Sequence, residues 1–390
     1  MSARPGQWLG VLGGGQLGRM FCQSAQALGF RVLVLDPDHE SPAGDVADDH
    51  LVAGYDDQSA LRDMARRCEA LTTEFENVPA ESLAFLAQER PVAPAARAVQ
   101  VAQDRVAEKA FIRSLGVAVA PYVQVRCLKD IDDAPDALFA GILKAARLGY
   151  DGKGQHRVTH RDQARLAFES MGQVPCVLEA HLPLHQELSV ILARDVNGHC
   201  AVFPVARNVH HNGILAVSHV DTQHTQLTGQ ATDAAVRIAT GLDYHGVLCV
   251  EFFVLTDGSL VVNEMAPRPH NSGHYTQNAC VTSQFEQQVR AMAGLPLGDT
   301  RLLAPAVMLN ILGDVWFGAQ GSESCEPCEP DWAAILALPG VSLHLYGKRQ
   351  PRLGRKMGHV NVTAPTLPAA VEMANQVVKV LRLPIQATSA

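Results

Sequence analysis

VLCVEFFVLTDGSLVVNEM, residues 247–265, is two apolar runs around a turn signal, with Glu251 in the first run and Glu264 in the second. Asp-Gly between apolar segments marks a β-hairpin. If Asp257 and Gly258 form the whole loop, Thr256 faces Ser259, and counting outward sets Glu251 opposite Glu264. Cross-strand partners project to one face with Cβ atoms roughly 4.5 to 5.5 Å apart, and like charges so placed are destabilising. A cation between them resolves the conflict. Mg²⁺ accepts one or two protein carboxylates and leaves its other positions to water and substrate phosphates. The alternatives are two solvated carboxylates or a register that differs by one residue.

A cation of that kind needs phosphates, and LKAARLGYDGKGQ (143–155) offers them a place. Lys144 ends a β-like run. Gly149, Gly152 and Gly154 then make a flexible loop whose N–H groups can wrap phosphate oxygens, with Lys153 inside it. The spacing is not that of a Walker A loop. Between this loop and the hairpin lie CVLEAHL (176–182), strand-like with one acid, and Glu187. A β-edge there can present backbone to a purine, and a carboxylate beyond it can hold ribose hydroxyls. A second hairpin, VILARDVNGHCAVFPV, turns at Asn197-Gly198. Antiparallel or mixed sheet is therefore expected from Pro121 to about Leu295.

Upstream the pattern changes. From Trp8 to about Val92, apolar runs alternate with helical ones (Gln16 to Leu28, Gln58 to Arg66, Ala80 to Gln88), which predicts a parallel, doubly wound sheet. Its first turn, GVLGGGQLGRM (10–20), contains Gly13-x-Gly15-x-x-Gly18, and Asp36 ends the next strand. That is also the spacing of a dinucleotide-binding turn with an acid for the ribose, so an NAD-dependent oxidoreductase is one alternative. Pro91 and Pro94 punctuate the chain before a helix expected over about Val99 to Leu115. Downstream, AVMLNILG, SLHLYG and MGHVNVT read as short strands, followed by a helix from about Leu367 to Leu381.

Composition narrows the function class. A chain of 390 residues is long enough for several domains. Its net charge of −8, with no basic run, argues against a nucleic-acid surface. No stretch is long and apolar enough to span a membrane and none reads as a leader, so a cytoplasmic protein is expected. The cysteines number nine and are mostly scattered, the usage of a reduced compartment. Cys325-x-x-Cys328 has metal-knuckle spacing but no second half, and is read as an incidental loop. The sequence has 16 histidines, so His210-His211 and the pair His270 and His274 are read as hydrogen-bonding residues and not as zinc ligands.

In chain order, a basic residue, a glycine-rich loop, a strand with Glu and two carboxylates on a hairpin resemble the ATP-grasp fold. With GGGQLG, TEFENVP, GYDGKGQ, NEMAPRPHNSGHYTQ and GRKMGH, the chain is similar from Trp8 to about Val362 to the 5-(carboxyamino)imidazole ribonucleotide synthases of purine biosynthesis. The resemblance implies an α/β architecture in three parts. A parallel, doubly wound pre-ATP-grasp domain (1–98) binds the ribonucleotide. An ATP-grasp domain (99–298) carries a lid subdomain at about 120–185. A small β-rich domain (299–390) follows.

It also implies carboxylation of 5-aminoimidazole ribonucleotide with ATP and bicarbonate through carboxyphosphate, Mg²⁺ as cofactor and a homodimer. Arg105, Lys144, Gly149 to Gln155 (with Tyr150, Asp151, Gly152, Lys153 and Gly154), Glu179, Ala180, His181, Leu182, Glu187, His210, Asn263 and Glu264 would line the ATP site. Glu251 and Glu264 would hold Mg²⁺. Gly15, Gln16, Leu17, Glu76, Asn77, Arg268, Asn271, Ser272, Lys348 and Arg355 would hold the ribonucleotide. Arg268 is expected on the bicarbonate anion, with Tyr150, Asp151 and Lys348 steering protons. One departure stands out: Leu148 occupies the place of a first lid glycine. Formate-dependent ribonucleotide transformylase, also an ATP-grasp enzyme, and a non-catalytic nucleotide-binding regulator remain as alternatives.

Overall fold

The computed structural model describes residues 2–147, 154–223, 225–320 and 326–387. Leu148, Gly149, Tyr150, Asp151, Gly152, Lys153 and Cys325 lie outside the described residues. The N-terminal sheet has strands β1 (Trp8–Leu12), β2 (Arg31–Leu35), β3 (Asp49–Leu51) and β4 (Cys68–Thr73), all parallel, in the order β3-β2-β1-β4. Leu9, Val11 and Leu12 of β1 and Val32 to Leu35 of β2 are buried, because helices cover both faces of a parallel sheet.

The helix expected over 99–115 is instead two, Ala96–Ala102 and Arg105–Ser114. The Asp104 carboxylate accepts hydrogen bonds from the Val106 and Ala107 amides, and this N-cap starts a new helix inside what reads as one apolar period. Arg105 thereby occupies a helix start, and its amide donates to the Ala146 carbonyl oxygen at 2.9 Å.

A small antiparallel sheet follows, with β5 (Tyr122–Val125), β6 (Gly141–Ala145), β7 (Gln155–Val158) and β8 (Cys176–Ala180) in the order β5-β8-β6-β7. β8 is therefore not the edge the sequence suggests: it pairs with β5 on one side and β6 on the other. Backbone that can face a purine begins only where the strand ends, beyond Ala180.

The largest sheet contains β9 (Leu184–Arg194), β10 (Cys200–Val202), β11 (Ala206–His211), β12 (Ile214–Val220), β13 (Gly246–Leu255), β14 (Leu260–Ala266), β15 (Ala306–Leu312), β16 (Val341–Leu345) and β17 (Lys356–Thr363). Its order is β14-β13-β9-β11-β12-β15-β17-β16, with β10 added to β9. The last three strands belong to the segment read as a separate small domain. They continue the central sheet through antiparallel β12–β15 pairing, backed by the helix Leu367–Leu381. One face of β9 and β13 (Leu188, Val190, Leu248, Val250, Phe252) packs in a core with Ile112 and with Ala231, Ala235 and Ile238 of a long helix. The other face turns Ser189, Cys249 and Glu251 away from that core, as the twofold alternation of a strand requires.

The β13–β14 hairpin departs from the sequence count twice, and the departures cancel. Leu255 N–H donates to the Ser259 carbonyl and Gly258 N–H to the Leu255 carbonyl, so the loop is Thr256, Asp257 and Gly258. Gly258 takes φ +82°, which a side chain would strain. The longer loop moves the register by one, so that Phe253 meets Val261 and Phe252 meets Val262; a bulge at Asn263 then moves it back, and Glu251 pairs with Glu264.

Candidate active site

A cavity of about 810 Å³ opens where the three sequence segments meet. The first contributes Gln16, Leu17 and Glu74 to Asn77; the middle segment Arg105, Glu108, Glu251, Glu264, Arg268, His270 and Asn271; the last Lys348 and Arg352 to Lys356. Residues separated by up to several hundred positions are brought together because the C-terminal strands join the central sheet.

At the acidic end, Arg105 Nη1 donates to Glu264 Oε2 at 3.0 Å, and His270 Nε2 lies 3.2 Å from Glu251 Oε1. Burial, and then the charge of Glu264, push the Glu251 carboxyl up to about 7. Glu108, which accepts from the Met265 amide at 2.6 Å, is pushed up to about 8 by burial and by Glu264. Burial pushes the His270 imidazole well below its ordinary range, and Arg268 and Lys356 add to this. Carboxyls facing one another, partly neutralised by one arginine, are the environment a hard divalent cation fits. Glu251 and Glu264 are the residues that would hold it.

On the small sheet, Lys144 Nζ donates to Glu179 Oε2 at 2.9 Å, and Lys109 Nζ lies 3.2 Å from Glu179 Oε1. Burial raises the Glu179 carboxyl, but Lys144 and Lys109 hold it below the usual range. The carboxylate is thus already claimed by two ammonium groups. Gly154 has φ +70° and its carbonyl accepts from the Ala145 amide; Gln155 pairs with Lys144 in β6–β7. Glu187 and His210 form an ion pair on neighbouring strands. Burial lowers the His210 imidazole, yet the Glu187 bond and the Glu251 charge hold it above its ordinary value.

The cavity is also lined by the cations Lys348, Arg352, Arg355 and Lys356, and the charge of Lys356 reaches Glu251 and His270. Lys348 Nζ donates to the Lys356 carbonyl at 2.8 Å and Arg355 Nη1 to the Gln350 carbonyl at 2.8 Å. Arg268 Nε donates to Glu76 Oε2 at 2.5 Å and its Nη1 to the Pro269 carbonyl at 3.2 Å. The guanidinium is therefore not an untouched fork for bicarbonate, as the sequence suggests: Glu76 already takes one of its nitrogens. Burial raises the Glu76 carboxyl, and Arg268 more than reverses this. Asn271 lines the cavity, and its Nδ2 is buried with no acceptor among the described residues. The Ser272 side chain, by contrast, does not reach the cavity: it is fully buried, bonded to Ser189 Oγ at 2.7 Å and 2.8 Å from His270 Nδ1.

The glycine turn departs from the dinucleotide-binding expectation. The Gly15 and Gly18 amides both donate to the Glu74 carboxylate, Gly18 at 2.6 Å, and the Gly14 amide donates to Asp36 at 2.6 Å. A Cβ on Gly13 would come within 2.3 Å of Glu74, and one on Gly15 within 2.4 Å. These glycines make room for the protein's own acids. Asp36 is buried and also accepts from Tyr55 Oη at 2.6 Å and the Asp38 amide at 2.8 Å, so it is not presented to a ribose. The NAD alternative loses both of its supports. Gln16 and Leu17 still line the cavity, while Gly15 is not among its lining residues.

Glu74, Glu108, Lys109, His270, Arg352 and Lys356 were not in the sequence-derived set. Two of them were within reach: Glu108 and Lys109 follow Arg105 by one helical turn. Glu74 was hidden because its partners are backbone amides, which no side-chain pattern reports.

Comparison with known proteins defines the class. Residues 7–103 match the ribonucleotide synthetase preATP-grasp domain, residues 110–285 the ATP-grasp domain, and residues 306–373 the phosphoribosylaminoimidazole carboxylase C-terminal domain. The fold is ATP-grasp with a pre-ATP-grasp N-terminal domain. The N5-carboxyaminoimidazole ribonucleotide synthase of Brucella melitensis is 44% identical, with 93% of this chain and 98% of that protein covered; that of Bacillus subtilis is 42% identical, with 91% of each covered. Among solved structures, the Staphylococcus aureus enzyme with ADP superposes with a TM-score of 0.88 at 34% identity, covering 97% of this chain and 98% of that one. The Aspergillus clavatus enzyme in complex with ADP and 5-aminoimidazole ribonucleotide gives 0.85 at 30%, covering 97% and 99%. The chain belongs to the N5-carboxyaminoimidazole ribonucleotide synthase family, and is an ATP-grasp ligase that carboxylates aminoimidazole ribonucleotide with ATP in purine biosynthesis.

Proposed function

We propose that the carboxyl donor is bicarbonate, which ATP converts to carboxyphosphate with release of ADP, and that the exocyclic amine of 5-aminoimidazole ribonucleotide attacks this intermediate to give the carbamate with release of phosphate. The observation that carries the reading is that one cavity is lined both by two facing carboxyls suited to a cation and by Lys348, Arg352, Arg355 and Lys356, suited to an anionic nucleotide. Mg²⁺, when bound, neutralises charge on the transferring phosphoryl group. Glu251 and Glu264 hold it, and Arg105 holds Glu264 in place. Lys144, Gly149 to Gln155, Glu179 to Leu182, Glu187, His210 and Asn263 surround the ATP, with Tyr150 and Asp151 in the lid. Glu187 is tied to His210, and that pair fixes the carboxylate for the ribose hydroxyls.

Gln16, Leu17, Glu76, Asn77, Asn271, Lys348 and Arg355 receive the ribonucleotide, its phosphate toward Lys348 and Arg355. Gly15 and Ser272 act from behind, through Glu74 and His270 respectively. Arg268 offers its remaining N–H groups to the bicarbonate anion while Glu76 fixes its plane. Lys348, with Tyr150 and Asp151, steers the amine proton. The division at residues 98 and 298, a cytoplasmic location and a homodimer belong to the same reading and rest on the resemblance.

The test is ADP formation by the purified protein with each component omitted in turn. Turnover is expected only with Mg²⁺, ATP, 5-aminoimidazole ribonucleotide and bicarbonate together. Turnover with formate in place of bicarbonate overturns the choice of acid.

A further inference from the structure

Around Glu251 lies a group of potential metal ligands, of which the carboxylation uses the carboxylate and not the Cys249 thiol. Cys249 and Glu251 are two apart on β13 and project to the same face. His270 arrives from the loop after β14, and its Nδ1 lies 2.8 Å from Ser272 Oγ, which leaves Nε2 directed at Glu251 Oε1, 3.2 Å away. The Cys249 sulfur, Glu251 oxygen and His270 nitrogen all lie within 4.8 Å of one another. A zinc ion bound at about 2.0 to 2.3 Å holds its ligand atoms at roughly 3.3 to 3.8 Å apart, so only small side-chain rotations are needed.

We infer that Cys249, Glu251 and His270 form a site for a thiophilic divalent cation, zinc in the first place, and that its occupation switches the ligase off. This rests on the reading that Glu251 also holds the hard cation of the reaction. The two ions then compete for one carboxylate while differing in their other ligands: oxygen and water for magnesium, sulfur and imidazole for zinc. His270 suits the role because Ser272 orients its ring, as outer partners do for metal-ligating histidines; binding at Nε2 moves the ring proton to Nδ1, which then donates to Ser272 Oγ. The Cys249 thiol is buried, 4.0 Å from Ser272 Oγ, while Glu251 and His270 both line the cavity. Binding forms a sulfur–metal bond and breaks S–H, so one proton leaves to solvent for each ion bound; a coordinated thiol is deprotonated outright.

The test uses the whole protein without nucleotide and Co²⁺ as a spectroscopic probe. A thiolate-to-cobalt charge-transfer absorption is expected at one ion per chain in the wild type and not in Cys249→Ser. In turnover assays at fixed Mg²⁺, zinc is expected to inhibit the wild type, and Cys249→Ser is expected to need at least about tenfold more zinc while keeping its basal rate. Should Cys249→Ser fold poorly, Cys249→Ala with a zinc-dependent thermal shift as readout serves the same end. Equal zinc sensitivity in wild type and variants, or no cobalt–thiolate band in the wild type, overturns the inference. The cobalt signal needs no turnover. If the ligase reading fails, the band persists without bicarbonate-dependent ADP formation; if the zinc site fails, the band is missing and the turnover remains.

Discussion

The glycine turn at residues 13–18 and the β13–β14 hairpin are both built around carboxylates, and they resolve the cost of burying them in opposite ways. Glu74 accepts from within, from the amides of Gly15 and Gly18, although burial still raises its carboxyl. Glu251 is not so satisfied: it faces Glu264 across the hairpin, and burial with that like charge outweighs the favourable charges of His210 and Lys356. A buried charge that the fold already satisfies is architecture, whereas one that the fold leaves in conflict is waiting for a ligand. The glycine spacing matches a binding turn, but its amides are spent on Glu74 and Asp36, whereas the hairpin carboxylates face one another across the cavity-lining strands.

Substitution at the hairpin gives the largest expected effect. Glu264→Gln removes a metal ligand and is expected to lower kcat by about 100- to 1000-fold, the range seen when one stabiliser of transition-state charge is lost. It also removes a like charge opposite Glu251, so the thermal midpoint of the ligand-free protein is expected not to fall. A variant that loses stability and keeps its turnover would show that the two carboxylates are structural and erase the contrast.

At the glycine turn the expectation reverses. Glu74→Ala leaves two donors without their acceptor and is expected to cost about 2 to 3 kcal/mol in urea unfolding. The Michaelis constant for the ribonucleotide is expected to rise with little change in that for ATP, because Gln16 and Leu17 on the cavity wall sit between the two clamped glycines. Glu74→Gln keeps one acceptor oxygen and is expected to recover part of the stability. A rise in the ATP constant alone would break the assignment of this turn to the ribonucleotide side.

These two regions also show what was legible in the sequence. The alternation of apolar runs and helices gave the parallel sheet, because burial on both faces leaves a period that survives in one dimension. The pairing of Glu251 with Glu264 was reached through a loop one residue too short, and only the bulge at Asn263 restored it. Neither a three-residue loop nor a bulge has a side-chain signature strong enough to be counted. The break at Asp104 was equally silent, since an N-cap within an apolar period looks like a polar residue on the outer face. Lys144, Glu179 and Arg105 were picked out singly, but Lys109 and Glu108 were not. Their meaning comes from Glu179 and Glu264, partners far away in sequence.

Protonation sharpens the contrast further. The folded-state values of Glu108 and Glu251, about 8 and about 7, lie above their unfolded ones, so between roughly pH 4.5 and those values the folded chain binds more protons than the unfolded chain. Stability of the ligand-free protein from these groups is therefore complete below pH 4.5 and falls as pH rises toward 8. Glu108→Gln is expected to flatten that decline, with a gain on the order of 1 to 2 kcal/mol at pH 8 that vanishes in acid, since the amide oxygen can still accept from Met265. Magnesium affinity is expected to run the other way, rising with pH through 7 as Glu251 sheds its proton. Thermal melts across this range, with and without Mg²⁺, check both signs.

The smallest expected effect lies at Asp36, where the contrast can be tested by removing a single hydrogen bond. Tyr55→Phe deletes the O–H that donates to Asp36 at 2.6 Å and keeps the ring, including its edge contact with Phe75 at 5.3 Å between centroids. Asp36 retains the amides of Gly14 and Asp38, so its charge stays paired. The loss is then one hydrogen bond to a carboxylate that remains otherwise satisfied, about 1 kcal/mol in urea unfolding, with the kinetic constants unchanged. If Asp36 instead contacted a ligand, freeing one of its oxygens would alter binding more than stability. A shift in either Michaelis constant without a stability loss would therefore return Asp36 to the functional site, and place the glycine turn with the hairpin among the carboxylates that the fold leaves for a ligand to satisfy.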